Sequence, residues 1–166
     1  MRRFEDVLAR YKSYPLGNVD REAAREEIGE IESERGRALP GDYRYFVENF
    51  PATGLGAYTY FNFNSAERGI LSVLFGAAPG DAYDFYENGH AYAESLPDEF
   101  VPIGADPGGN LICLSLGEGE YGNVLFWDRE RDAFPGSSEN RAGIMFCASS
   151  FSEFVQRLTF EDAETE

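Results

Sequence analysis

Between Phe100 and Asp128 the chain reads FVPIGADPGGNLICLSLGEGEYGNVLFWD. Two short apolar runs, Asn110 to Leu116 and Asn123 to Trp127, flank a loop holding Gly117, Gly119 and Gly122, and a third run, Val101 to Ile103, precedes an Asp-Pro-Gly-Gly turn. Runs of this length bounded by glycine, proline and asparagine read as strands joined by tight connections, so the segment is a glycine-punctuated β-hairpin. The same region carries acid and no base: from Gly69 to Asp128 there are ten Asp or Glu residues and no Lys or Arg. Such a hairpin is expected to present a binding surface instead of a reaction centre.

A chain of 166 residues, 43% of them apolar, suits one domain, and a domain of that size buries roughly 70% of its unfolded surface without help from disulfides or metal. The domain is expected to span residues 1–160, followed by an acidic tail, 161–166 (EDAETE), too polar to pack. Cys113 and Cys147 lie inside apolar runs and read as buried thiols of a reducing compartment. Glu5, Asp6 and Arg10 interrupt what would have to be a secretory apolar stretch. The longest apolar run, Gly69 to Gly80, falls short of the ~20 residues of a membrane span. The expected location is the cytoplasm.

The formal net charge is −16, and it is unevenly placed: residues 1–70 hold ten basic and twelve acidic side chains, residues 71–166 four and eighteen. A field of this sign repels nucleic acid and anionic lipid, and steers a basic partner over about a Debye length, roughly 8 Å at physiological salt. Direct nucleic-acid and membrane binding are therefore disfavoured. Two other accounts of the acidity stay open, solubility and adaptation to high salt. Salt adaptation would spread acid over the whole chain, unlike the near-neutral first half.

Periodicity gives an α+β order. Phe4, Val7, Leu8 and Tyr11 mark one face of a short helix. Asp20 can cap a second helix, to about Arg35, with Ala24, Ile28 and Ile31 inward. Pro40 suits the first turn of a third, in which Tyr43, Phe46, Val47 and Phe50 repeat the pattern until Pro51 and Gly54 stop it. Strands are expected at Ala57–Phe63 and Ile70–Phe75, around a turn at Asn64-Ser65. Asp81 looks like the cap of a fourth helix, with Ala82, Phe85 and Tyr86 inward and Gly89 at its end. After the hairpin strands and a further strand at Ile144–Cys147, a closing helix starts at Ser150. There Glu153 completes a capping box, and Phe151, Phe154, Val155 and Leu158 form the buried stripe.

Catalytic and metal constellations fail against this layout. His90 is the only histidine, and no serine sits in a Gly-x-Ser-x-Gly elbow. One histidine and two strand cysteines make no close-spaced zinc pairs. Gly117, Gly119 and Gly122 spell G-x-G-x-x-G, but the motif leads into a strand and Glu118 and Glu120 would face any phosphate, so it is a hairpin loop whose glycines allow positive φ. Asp106 to Asn110 lacks the ligand pattern of an EF-hand and reads as a turn with side-chain hydrogen bonds. Glu118 with Glu120, or Asp128 with Glu130, could supply the dyad of a carboxylate-dependent hydrolase. With thirty acids in the chain such pairs arise by chance; no enzyme, metal or cofactor is expected.

Four blocks follow one another in order: Ile31-Glu32 leading to Leu39-Pro40-x-Asp42-Tyr43-Arg44-x-Phe46; Phe100 to Gly104 with Asp106, Gly108, Gly109 and Asn110; Gly122-Asn123-Val124-x-Phe126-Trp127-Asp128; and Ser150-Phe151-x-Glu153-Phe154. Together they resemble the SUKH superfamily, which includes the yeast cell-wall-assembly regulator and many bacterial immunity proteins. The resemblance spans about residues 28–158. It implies a single α+β domain, with a mixed, largely antiparallel sheet flanked by helices and no enzymatic activity. Bacterial relatives commonly neutralise a toxin, often a nuclease, by binding it; the alternative is a protein-interaction scaffold or regulator of cell-wall assembly or signalling. Where Asn-Gly-Gly often follows the Leu-Pro helix in the family, Asn49 is here followed by Phe50-Pro51-Ala52-Thr53-Gly54.

Partner contacts differ among such proteins, so none is carried over by motif. The motif residues themselves read as core (Leu39, Tyr43, Phe46, Trp127) or turn (Gly109, Gly122). Candidate contacts come instead from charge: Asp81, Asp84 and Glu87, spaced to share one side of a helix, and Asp106, Glu118 and Glu120 at hairpin turns, with Tyr121 as an aromatic anchor. For each acid a solvated surface carboxylate is the alternative. The expected partner is a protein, a basic toxin domain; oligomeric state is left open.

Overall fold

In the computed structural model, residues 4–11, 13–56, 58–131 and 143–161 are described. The glycine-bounded runs pair as their spacing requires: β6 (Phe100–Ala105), β7 (Leu111–Ser115) and β8 (Val124–Trp127) form an antiparallel meander in register Val101↔Leu114 and Ile112↔Phe126. All but Ala105 of their residues are buried, which explains why these strands read as unbroken apolar runs without alternation. β9 (Ile144–Ala148) adds to β8, and on the other side β5 (Val73–Leu74), β2 (Thr53–Gly54) and β1 (Tyr14–Pro15) complete a seven-stranded sheet ordered β1-β2-β5-β6-β7-β8-β9. Both halves of the chain contribute to it. A second sheet, β10-β3-β4, is built from β3 (Thr59–Phe63), β4 (Glu67–Ile70) and β10 (Thr159–Phe160). The strand ladders are antiparallel, and the parallel element is the bridge Gly76↔Asp84.

Successive strand residues point to opposite faces, and β8 shows what covers each. Phe126 meets Phe61 and Phe63 of β3, at ring centroid distances of 5.1 and 4.9 Å, so the small sheet lies over that face. Trp127 points the other way and meets Tyr92 edge-on at 6.0 Å, just beyond α4 (Phe85–Ala91). At 3% exposure Trp127 is a packing residue. A second set of rings joins the helices: Tyr43 and Phe46 of α3 (Gly41–Asn49) pack on Phe151 of α5 (Phe151–Gln156), Phe85 of α4 and Phe4 of α1 (Phe4–Leu8). α1 runs into a 3-10 turn, Ala9–Tyr11.

Local signals set most helix starts. Asp20 caps α2 (Arg21–Arg35), its side chain accepting Ala23 N–H at 3.1 Å, and Ala24, Ile28 and Ile31 are buried as expected. Ser150 caps α5 through Glu153 N–H (3.0 Å). The Glu153 carboxylate binds the Ser149 hydroxyl and Arg157. Pro40 stands one place earlier than expected, as the cap itself, and Phe50 caps the other end of α3. Residues of the first sequence block have structural tasks: Glu32 accepts Leu39 N–H (2.7 Å) and pairs with Arg44, while Asp42 accepts both the N–H and the hydroxyl of Ser152 (2.8 and 2.9 Å).

Three expectations are corrected. The run Ile70–Phe75 is not one strand: Leu71 N–H bonds Thr59 O in the small sheet and Ser72 N–H bonds Ala105 O beside β6, so the chain changes sheets between adjacent residues. A continuous apolar run looks the same whether it serves one sheet or two. The fourth helix starts at Phe85, with Asp84 as its cap; Asp81 instead folds a turn by accepting Tyr83 N–H (2.9 Å), and Ala82 is exposed. Gly89 does not end that helix but lies buried within it, facing α2, where an added Cβ would sit 3.4 Å from Ile31 Cδ1, an ordinary contact distance. β3 begins at Thr59; Ala57 lies outside the described residues. Of the tail, Glu161 is tied down through Tyr58 O (3.1 Å) and Arg68 (3.0 Å), and 162–166 lie outside the described residues.

Candidate partner-binding surface

The Gly117–Gly122 loop between β7 and β8 is held by the chain's own first half. Gly119 and Gly122 take φ of 81° and 86°, in the region open to glycine, and Gly122 N–H returns to Ser115 O (2.8 Å). From beyond the C-terminus of α2, Arg37 donates to Leu116 O (2.7 Å) and stacks over the Tyr121 ring at 4.4 Å, while Tyr121 donates its hydroxyl to Ala38 O (2.7 Å). The loop is thereby braced against the segment that follows α2. It presents Glu118 as an exposed residue, Glu120 as a partly buried one, and Tyr121 at 40% exposure. This is the part of the expected contact set that the structure keeps together.

Asp106 is elsewhere. It stands at the opposite end of β7, roughly 16 Å away at ~3.3 Å per residue. Its carboxylate accepts the backbone and side-chain N–H groups of Asn110 (2.8 and 3.0 Å), whose Oδ1 accepts Arg129 N–H (3.0 Å). The expected turn with side-chain hydrogen bonds is present, and its acid is occupied.

Asp81, Asp84 and Glu87 do not share a helix side. Asp81 precedes the helix and is exposed. Glu87, also exposed, accepts Gly80 N–H (3.0 Å). Asp84 is wholly buried, accepting Ala78 N–H (2.7 Å) and Glu87 N–H (3.0 Å), and is thus unable to meet a partner directly.

Beside these residues lies a group that charge counting by halves passed over, the seam between α2 and α4. Glu34 of α2 accepts the Tyr86 hydroxyl (2.6 Å) and lies 2.8 Å from His90 Nε2. The Tyr86 hydrogen bond first, and His90 after it, hold the Glu34 carboxyl below its ordinary range, and Glu34 in turn pushes the Tyr86 phenol upward. Arg35 donates to Asp98 O (2.5 Å) and Gly89 O (3.4 Å). Glu34, Arg35, Gly89, His90, Ala93 and Asp98 line an open groove of about 340 Å³. Exposed Glu30 and Glu34 of α2 thus stand beside exposed Glu87 of α4, and residues 98–99 join this seam to the 117–122 loop, since Leu116 N–H bonds Glu99 O (2.7 Å). Beneath it, Glu27 is only 8% exposed. Its position was legible: Ala24, Glu27, Ile28 and Ile31 follow i, i+3, i+4, i+7, which places a glutamate on the inner face.

No cluster of three or more His, Cys, Asp or Glu side chains suited to a metal occurs among the described residues. Cys113 and Cys147 are free and buried. Burial raises both thiols, Cys147 to about 12. A second cleft, about 410 Å³, is lined by Phe61, Asn62, Ser65, Phe146, Cys147, Phe154 and Arg157. No described helix is long and apolar enough to cross a membrane.

Comparison with known proteins adds two findings. The sequence model of the SMI1 / KNR4 family (SUKH-1) matches residues 22–157, a span that holds all four sequence blocks. The chain is also 25% identical over 170 residues to the SPbeta prophage-derived uncharacterized protein YokK of Bacillus subtilis (strain 168), covering 92% of this chain and 81% of that protein.

Proposed function

Because the chain belongs to the SMI1 / KNR4 family (SUKH-1), we propose that it is a non-enzymatic immunity protein that binds and neutralises a cognate toxin, a basic nuclease domain, through its acidic surface. The observation that carries this reading is the continuity of the α2–α4 seam with the 117–122 loop. Exposed Glu30, Glu34, Glu87 and Asp98 lie along the seam, and exposed Glu118 lies on the braced loop, whose Tyr121 is partly exposed. Acids at the margin accelerate encounter with a basic surface, and a pre-ordered aromatic group lengthens the life of the complex. A nuclease is favoured by charge, because a surface built to hold phosphates is basic. The similarity to a prophage-derived protein is in keeping with this role.

The test is to co-express the chain with any toxin-like protein encoded beside its gene. Cells expressing both are expected to survive, and the two proteins to co-purify at low salt. Neither protection nor a complex would remove this reading and favour a scaffold of cell-wall assembly or signalling, to be sought by pull-down.

A further inference from the structure

At the β1 edge of the seven-stranded sheet lies an apolar groove of about 330 Å³, bounded by α1, β1 and the chain that follows α3. Buried Leu8 and partly buried Phe50 and Pro51 line it, together with exposed Tyr14 and Pro15. Its rings are held in place from below. Phe50 stacks on Phe46 at a centroid distance of 5.3 Å and meets Phe4 edge-on at 6.1 Å. Tyr14 stands opposite Gly54 in the β1–β2 ladder, and a Cβ at position 54 would collide with the far end of its ring. Only glycine there lets the ring lie against β2. Tyr14 is nevertheless 51% exposed.

The hydrogen-bonding groups of the groove decide what it can hold. β1 is an edge strand of two residues, Pro15 has no N–H, and Leu16 N–H is taken by Ala52 O (2.8 Å). An incoming strand therefore meets no run of backbone donors with which to extend the sheet. What the groove offers instead is side-chain donors: Ser13 and Tyr14 line it, and their hydroxyls bond no group among the described residues. A polyproline II segment suits that arrangement, because it makes no internal hydrogen bonds and its carbonyls stay free to accept. Its prolines bring no N–H to be left unpaired, and such segments dock in aromatic-lined grooves while already extended. Glu5, exposed on α1, is the one charged residue lining the groove. It favours a cation beside the prolines. The net charge of −16 opposes a second copy of the chain as the occupant.

We propose that this groove is a second interaction site, which takes a proline-rich segment of a partner protein in the polyproline II conformation, with a basic residue of that segment against Glu5. The site shares no residue with the α2–α4 seam or the 117–122 loop, so it stands or falls separately from the proposed toxin surface.

Fluorescence anisotropy on the full chain tests this, with a labelled hexaproline peptide carrying an arginine at each end. The peptide is expected to bind saturably, and its counterpart with glycine in place of every proline at least tenfold more weakly. Tyr14→Ala is expected to weaken binding at least tenfold, and Tyr14→Phe, which keeps the ring and loses the hydroxyl, several-fold. Because Tyr14 is half exposed, both variants are expected to keep the wild-type circular dichroism spectrum. Glu5→Gln is expected to weaken binding of the arginine peptide several-fold and to leave binding of hexaproline alone unchanged. Absence of saturable binding up to millimolar peptide overturns the site. Equal binding of the glycine peptide does so too, as does full affinity in Tyr14→Ala. An unchanged affinity of Glu5→Gln for the arginine peptide overturns the role given to the basic residue.

Discussion

Asp84 and Asp81 show how far a residue's type falls short of its role. Both are aspartates near the start of one helix, yet one is a buried cap with two N–H partners and the other an exposed turn residue. Asp84→Ala removes the cap and strands two N–H groups, and is expected to destabilise the fold by about 3 kcal/mol. Asp81→Ala is expected to stay within ~0.5 kcal/mol. Urea unfolding of the two variants checks this; equal losses would mean that Asp84 does not pin the loop. The choice between the two caps was not legible, because Asp81 and Asp84 each stand ahead of a plausible helix. Only the packing of Ala78 against Asp84 selects one. Glu27 was legible as an inward acid from its spacing with Ala24, Ile28 and Ile31.

At the scale of elements, the 117–122 loop combines a charge and a brace that can be separated by experiment. Replacing Glu118 and Glu120 with glutamine is expected to slow association with the proposed toxin partner several-fold at low salt and to flatten its salt dependence. Arg37→Ala removes the brace under Tyr121, and is expected to speed dissociation more than it slows association. Stopped-flow kinetics across ionic strengths distinguishes the two. An unchanged on-rate in the glutamine variant would clear those acids of steering. The strands of this region were readable because glycine and apolar runs act locally. The short strands β1, β2 and β10, two residues each, were not readable, since such strands exist only through the ladders they join. The loop's brace was equally hidden, because it comes from Arg37 and Ala38, about eighty positions earlier in the chain.

For the whole molecule, a net charge of −16 opposes its own compaction. Raising sodium chloride from about 10 to about 150 mM shortens the Debye length from roughly 30 to 8 Å, and is expected to raise Tm by a few degrees. Calorimetry at the two salt concentrations checks this; a Tm that falls would show that attractive ion pairs outweigh the repulsion. The sequence by itself determined the α+β class, the helix caps at Asp20 and Ser150, the glycine-bounded meander, the buried thiols and the sign of the charge. Each follows from neighbours along the chain or from simple counting. Tertiary structure alone decided that the strands divide between two sheets and that Asp106 stands apart from Glu118. It also decided that Asp84 is buried, and that acids of the nearly neutral first half join Glu87 in one seam. Those outcomes depend on which surfaces of distant segments come to share a desolvated space, and local periodicity carries no record of the partner segment.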